Sequence, residues 1–569
     1  MRKDGSSHMH MRRLCLLITA TGLATLLLAP IDARAQTWPV AGQNAGNTRN
    51  QAAETTISAA TAPNLTTKWI FNAGGSVLPT PTVEGGAVYV PDNGGQIFKI
   101  DAASGREIWS QKIGDLVGVG GLVSRNSPAV LRDRIILGTW TDRGGIEARA
   151  WVLALDKQSG SLLWKTSLTV KDIRDATGTQ DPSQFGARVF QSPVPSADGS
   201  RVFVGVSGLG DESLAADNGF PCCTFKGAVF GLDAATGRIV WKTPTLPADP
   251  GYAGAGVWGH APVVDDKRKL VYVATGNNFK LPDAVMACVR NAVALGSTPT
   301  AAGMSCDPKF NDNHVDSILA LRQDTGALVW SIHTTGFDAW NTACTANPPG
   351  ANCPNPHGPD EDFGMAPQLF QVTVNGVKRD VLGVGRKSGE YRTLLLSDNP
   401  AQPPQNLWGP VNVGPGTGGG SETGLGGMER ECATDGVRIY CAIINAIGQR
   451  VTLMNGQTTT GGFWTALDAA TGRKVWQTAN PTGAMALGPV SVANGVTYVS
   501  SFDDNGTIFA LDASNGTVLF SMTTGGSVGS GAAIADGVVY WGSGYHLFSR
   551  GAAPLGSGNN KLFAFTLRR

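Results

Sequence analysis

Apolar and polar residues alternate along this chain in short runs, and one run keeps returning. "IFKIDAASGREIW" ends at Trp109, "VLALDKQSGSLLW" at Trp164, "VFGLDAATGRIVW" at Trp241 and "ILALRQDTGALVW" at Trp330. "WTALDAATGRKVW" ends at Trp476 and "IFALDASNGTVLF" at Phe520, while a degenerate copy, "YRTLLLSDNPAQPPQNLW", ends at Trp408. Each reads as a hairpin: an apolar strand, a turn, and a return strand closed by an aromatic residue. Gly supplies the positive φ of the turn, and Asp accepts hydrogen bonds from its own turn backbone. A second hairpin-like pair precedes most copies, as in "VSVANGVTYVSS" before "GTIFALD".

Two hairpins per unit make four strands, the content of a propeller blade. Seven internal copies and one split copy predict an all-β, eight-bladed β-propeller. The split copy is "LTTKW", ending at Trp69, together with the C-terminal "KLFAFTL". The first and last strands are therefore expected to share a blade and close the ring. The repeat tryptophans are expected to pack between blades. Long insertions at 281–313 and 341–361, each with two cysteines, are candidates to shape a substrate entrance, since propeller loops carry function.

Composition agrees with a turn-rich β-protein: 75 of 569 residues are Gly and 16% are charged. The net charge of +1 gives no basic excess of the kind a nucleic-acid partner requires. Arg12-Arg13, the apolar "LCLLITATGLATLLLAP" and Ala33-Arg34-Ala35 form the n-region, h-region and cleavage site of a signal peptide. This predicts export to the periplasm, with a signal over 11–35, one propeller domain over 36–569 and no membrane span after cleavage. Residues 1–10 precede the pattern and read as a tag or an upstream extension.

Cleavage removes Cys15 and leaves eight cysteines in an oxidising compartment. Pairing by proximity joins Cys222 to Cys223, Cys288 to Cys306, Cys344 to Cys353 and Cys432 to Cys441. The first of these pairs is unusual. Neighbouring Cα atoms lie about 3.8 Å apart across a trans peptide, whereas disulfides favour roughly 4.4–6.8 Å. A bond there would be strained, and the alternative is that the two never bond to each other. No C-x-x-C pair suggests zinc, and no C-x-x-C-H suggests a c-type haem in this chain.

The docking repeat in an exported chain resembles the pyrroloquinoline quinone (PQQ)-dependent alcohol dehydrogenases, and within them the polyvinyl-alcohol dehydrogenase branch. That resemblance implies a role for the adjacent cysteines, Cys222 and Cys223 in "PCCTF": a disulfide lying against one face of the quinone. On the other face it implies Trp258 of "GAGVWGHAPVVD", which stands outside the docking repeat. Arg125 in "GLVSRNSPAV" matches the carboxylate-binding arginine, for which a planar fork is suited. Ser192 in "FQSP" and Ser207-Gly208 in "VGVSGLGDE" match hydroxyl and backbone donors. Lys387 in "GRKSGEY" matches a cation near the quinone oxygens, where negative charge develops.

The same resemblance implies Ca²⁺ held by Glu212 ("GDESLA"), Asn277 ("ATGNNF") and Asp362, oxygen donors that suit a hard cation. Asp211 competes with Glu212 for that role. Two residues compete as catalytic base: Asp362 in "GPDEDFGMAPQLF", which stands first, and Asp338 in "TTGFDAWNTAC", which stands second because Asn341 occupies the place of the family's Asp after Trp. Gly364 replaces the extra Asp of the lanthanide-using branch, which favours Ca²⁺. Arg430-Glu431 in "GGMERECATDG" depart from the family's Trp-Gly.

The implied activity is oxidation of secondary alcohols, as in polyvinyl alcohol, with electrons passing to a separate cytochrome c. Two rivals stay open: a PQQ dehydrogenase of small alcohols, and a non-enzymatic propeller scaffold. The scaffold has no reason to keep Arg125, Glu212, Asn277 and Lys387 together.

Overall fold

The computed structural model describes residues 35–141, 150–168, 186–418, 424–545 and 556–568, with the backbone of 549–550 and 553–554. The expected tag and signal at 1–34 lie outside the described residues. Each repeat forms the last two strands of a four-stranded antiparallel sheet, and the preceding hairpin forms the first two. Among the described residues there are eight such sheets. The first comprises Thr82–Glu84, Ala87–Pro91, Gln96–Asp101 and Glu107–Lys112. The next six span 129–167, 194–244, 263–333, 368–412, 433–479 and 491–523. In the eighth, Ala533–Ala535 and Val538–Gly542 are followed by Lys561–Leu567, which pairs with Leu65–Asn72 from the other end of the chain.

The consensus letters of the repeat are explained by what meets each tryptophan. Trp241 faces Gly231 across its own sheet, where a Cβ would come 2.3 Å from the indole. Ala154 faces Trp164 and Ala466 faces Trp476 in the same way. The ladder shifts register immediately after this small residue in each of these blades, a β-bulge that fits the indole into the strand.

Beyond its own sheet, each of these indoles reaches the turn of the next blade. Trp164 Nε1 donates to Ala234 O at 3.1 Å, Trp241 to Gln323 O at 3.0 Å and Trp476 to Ala513 O at 3.0 Å. The turn glycine of that next blade lies against the ring: a Cβ on Gly237 would meet Trp164 at 2.4 Å, with φ at +73°. This Gly is required twice, by backbone conformation and by contact. The interfaces are otherwise hydrophobic, as where Phe203, Val229 and Trp241 pack on Val271, Val273 and Leu321.

All four expected disulfides are present: Cys222–Cys223, Cys288–Cys306, Cys344–Cys353 and Cys432–Cys441. The insertion at 281–313 folds as two helices, Asp283–Ala294 and Pro299–Cys306, which the strand-dominated reading did not anticipate. Val285, Met286 and Val289 form the buried stripe of the first, and Cys288–Cys306 ties the pair. Among the described residues, no helix is long and apolar enough to cross a membrane.

Candidate active site

One end of every blade is built from the segment entering its first strand and the segment leaving its second, because these strands are antiparallel neighbours. Side chains from these segments in seven consecutive blades line one cavity of about 360 Å³. Arg125 enters the second blade, and Ser207 and Glu212 leave the second strand of the third. Trp258 and Asn277 come from the fourth, Asp360, Asp362 and Lys387 from the fifth. Arg430, Leu487 and Tyr545 complete the wall from the last three.

The acidic side centres on Asp362. Its Oδ2 accepts from Trp258 Nε1 at 2.7 Å, and its Oδ1 pairs with Lys387 Nζ at 2.8 Å. Lys387 also pairs with Asp360 Oδ1 at 3.0 Å and stands 5.2 Å from the Trp258 ring centre. Burial opposes the charge on Lys387, but Asp360, Asp362 and Glu429 outweigh it and hold the ammonium pKa well above its ordinary value. Asp360 is also raised: burial, opposed by Lys387 but aided by Asp362, Asp338 and Glu212, lifts it well above the usual carboxylate range.

Glycines press these groups together. A Cβ on Gly276 would come 2.8 Å from Asp362 Oδ2 and 3.3 Å from Trp258 Nε1, so only glycine lets the backbone beside Asn277 approach this carboxylate. The Asn277 amide donates to Trp340 O at 2.7 Å and Asn278 O at 3.2 Å, so Nδ2 is committed and Oδ1 is the atom left for a ligand. A Cβ on Gly364 would come 2.8 Å from Trp258 Cη2 and 2.8 Å from Glu429 Cα. No side chain fits at position 364, which accounts physically for the absence of an Asp there.

Behind Asp362 sits a clamp. Asp338 Oδ1 accepts from Asp360 N–H at 3.0 Å and its Oδ2 from Glu361 N–H at 2.8 Å, while Arg386 Nε donates to Glu361 O at 3.0 Å. Lys387 N–H donates to Asp362 O at 3.1 Å. The loop carrying Asp362 is thus pinned by its backbone. Burial raises Asp338 against those two hydrogen bonds, and raises Asp316 further with help from Asp338.

The opposite wall is cationic. The Arg125 guanidinium lies 4.5 Å from the Phe190 ring centre and 5.5 Å from that of Trp140. Burial, then the charge of Arg430, pushes its pKa down to about 10. Glu431, next to Arg430, is engaged by His260, whose Nδ1 lies 3.0 Å from Oε2 and whose N–H donates to Oε1 at 3.0 Å. Burial favours a neutral imidazole at His260; the hydrogen bond of the pair is the one from its backbone N–H, and Oε2 lies close to the ring without accepting one. Although burial opposes it, the contact with His260 and the charge of Arg49 hold Glu431 down at about 2.

The structure brings Arg125, Ser207, Glu212, Trp258, Asn277, Asp362 and Lys387 to this one cavity. It does not bring all the named residues there. Ser192 is buried behind it, its hydroxyl accepting from Ser127 N–H at 3.0 Å. Gly208 caps the short helix Leu209–Leu214, packed so tightly on Phe225 that a Cβ would lie 2.2 Å away. Asp338 belongs to the loop clamp. Asp211 faces inward, accepting from Thr224 and Phe225 N–H at 2.8 Å each. Cys222 and Cys223 lie a layer behind the wall: Cys222 Sγ is 4.0 Å from Asn341 Nδ2, and Phe225 stacks on the lining residue Phe279 at 6.3 Å. Of the two insertions, 341–361 reaches the cavity through Thr342, Thr345 and Asp360, whereas 281–313 contributes no lining residue.

Sequence reasoning missed Asp316, Asp360, Arg386 and the His260–Glu431 pair. The signal for Asp360 was its place two residues before Asp362 in "GPDEDFG". None existed for Asp316 or His260, whose partners Arg386 and Glu431 are 70 and 171 residues away in the chain.

A family profile described as outer membrane protein assembly factor BamB, the second PQQ-type repeat profile, matches residues 33–278, 148–347 and 462–552. A polyvinylalcohol dehydrogenase of Sphingopyxis sp. strain 113P3 is 26% identical over 558 residues, 90% of this chain and 73% of the relative. A second polyvinylalcohol dehydrogenase, from Pseudomonas sp., is 28% identical over 86% of this chain and 70% of its own. The chain belongs to the quinoprotein alcohol dehydrogenase family within this PQQ-repeat group. The quinohemoprotein alcohol dehydrogenase ADHIIG of Pseudomonas putida superposes on this quinoprotein with a TM-score of 0.61 at 17% identity, covering 94% of this chain and 80% of that one. That likeness establishes the shared propeller fold. Together the matches establish an oxidoreductase of the quinoprotein alcohol dehydrogenase type.

Proposed function

We propose that this quinoprotein is a periplasmic PQQ- and Ca²⁺-dependent dehydrogenase of secondary alcohol groups, with polyvinyl alcohol as its substrate class and a separate cytochrome c as acceptor. The observation that carries the reading is the Trp258–Asp362–Lys387 constellation, set in one cavity with Glu212, Asn277 and Arg125.

The donor set fits both groups. Among the described residues, no cluster of three or more His, Cys, Asp and Glu side chains is arranged for a metal. Four carboxylates, Glu212, Asp360, Asp362 and Glu429, nevertheless line the cavity; Glu212 and Asp362 with the Asn277 amide oxygen would hold the ion, and oxygen-only donors suit Ca²⁺. Trp258 offers a flat face for a planar ring, and Arg125 a fork for a carboxylate. When bound, PQQ supplies a two-electron acceptor and Ca²⁺ a Lewis acid.

Asp362 would take the substrate hydroxyl proton as general base. Its Oδ2 accepts from Trp258, whereas Oδ1, paired in charge with Lys387, accepts no hydrogen bond and keeps its lone pairs for the alcohol. Lys387, held charged, sets the carboxylate's orientation and places a positive charge beside the Trp258 face, where an acceptor gathers negative charge. The absence of C-x-x-C-H favours an external haem acceptor.

The test is reconstitution with PQQ and Ca²⁺, followed by dye reduction with polyvinyl alcohol and with a small secondary diol. Reduction with the polymer is the expected result. Turnover of the diol alone would assign a small-alcohol dehydrogenase, and reduction with neither would assign a non-catalytic propeller.

A further inference from the structure

The cationic wall holds one more guanidinium than the resemblance accounts for. Arg430 is only 8% exposed and lines the cavity, yet its Nε has no hydrogen-bond partner. Among the described residues, neither Arg430 nor Arg125 has a carboxylate within ion-pair distance; Glu431 is taken by His260 instead. A buried charge without a partner costs free energy that folding alone does not return. Two such charges in mutual repulsion cost more, and Arg430 is the largest neighbouring charge acting on Arg125. The phenyl and indole faces beneath Arg125 partly offset that cost for Arg125 alone. A ligand bearing two carboxylates along one edge would satisfy both forks.

We propose that Arg430 is a ligand-binding residue, forming with Arg125 a two-guanidinium clamp for an aromatic polycarboxylate. Under the function proposed above, on which the cofactor's identity rests, that ligand is the PQQ tricarboxylate. Arg430 stands where the family has Trp-Gly, so the clamp is a property of this chain. Bidentate guanidinium–carboxylate pairing rewards both charge and plane, and lysine reproduces only the charge.

The test uses the full chain without cofactor, the variants Arg430→Gln and Arg430→Lys, and two probes: PQQ and benzene-1,2,4-tricarboxylate. Binding is read by tryptophan fluorescence and by the ligand-induced rise in melting temperature. Arg430→Gln should weaken both probes on the order of 30-fold, and Arg430→Lys by less. Without ligand, Arg430→Gln should melt at or above the wild-type temperature, because a buried unpaired charge is gone. Unchanged affinity for both probes, or a ligand-free variant that melts several degrees lower, would overturn the clamp and show Arg430 to be structural. The two readings fail separately. Tricarboxylate binding through Arg430 without alcohol oxidation keeps the clamp and removes the dehydrogenase. Alcohol oxidation with an Arg430→Gln variant of full PQQ affinity does the reverse.

Discussion

In the blade turns, Asp233 accepts hydrogen bonds from Ala235 N–H, Thr236 N–H and the Thr236 hydroxyl at 3.1, 2.9 and 2.9 Å, and this lowers its pKa. Asp101 is lowered in the same way, chiefly by Ser104. Beside the cavity, Asp316 and Asp360 are raised well above the carboxylate range by burial, and Asp338 is raised too. The residue type is the same, but the water is not. At the rim an aspartate satisfies its own turn and stays hydrated. In and behind the cavity wall, carboxylates are crowded around two cations, Lys387 and Arg386, the kind of costly arrangement that clusters at functional sites.

The strongest way to break this comparison is at Asp362. Asp362→Asn should lower kcat about 1,000-fold in dye reduction at saturating PQQ and Ca²⁺, as expected for loss of a general base. Asp338→Asn should cost only about tenfold, because the clamp keeps one acceptor oxygen and the loop shifts rather than losing its chemistry. If Asp338→Asn proves the more damaging, the base assignment is reversed and the cavity aspartates do not divide their work as argued.

The two regions were also unequally legible. The rim repeats itself, so each copy confirmed the others: the Asp turn, the small residue opposite Trp and the Gly beneath the next indole were all present in "VFGLDAATGRIVW". The cavity does not repeat. Trp258, Asp362, Lys387, Glu212 and Asn277 emerged through resemblance, and their meeting in one cavity needed the fold. The clamp around Asp362 depends on Asp338 bonding backbone atoms of 360 and 361, which no spacing rule encodes. Arg430 was visible as a departure from a pattern, and its lack of a partner became apparent only in three dimensions.

The rim side can be broken at a glycine. A Cβ on Gly326 would lie 2.4 Å from Trp241 Cε3, at φ +70°. Gly326→Ala should cost about 2–4 kcal/mol in denaturant melts, combining positive φ with overpacking. Gly376 has φ +77° and nothing within 4 Å of its Cβ position. Gly376→Ala should therefore cost only the conformational part, about 1–2 kcal/mol. Equal costs at the two sites would mean that indole docking adds nothing to the turn.

Between rim and cavity lies Asp211, fully buried and raised by burial to about 6 against hydrogen bonds from Phe225 and Thr224. A raised folded pKa means that the native state keeps its proton while the unfolded chain releases it near 3.8. Stability should then fall as pH rises from about 4 to about 6, by at most about 3 kcal/mol, and level off above. Asp211→Asn should flatten that segment of the stability–pH curve measured by melting.

The smallest effect belongs to a single turn, and its sign is opposite. Asp233→Ala removes three local hydrogen bonds on a partly hydrated group, so the loss at pH 7 should be only about 1 kcal/mol. The folded pKa is depressed from 3.8, so this contribution is present above that value and disappears as pH falls through the folded pKa. Wild type and Asp233→Ala should therefore converge in stability in acid, where the carboxylate is protonated in both folded and unfolded chains. Asp211→Asn and wild type should instead converge at the acid end and separate as pH rises, with the variant the more stable. If the two aspartates gave curves of the same slope, the division between hydrated rim and buried cavity would not be electrostatic at all, and packing alone would have to explain both.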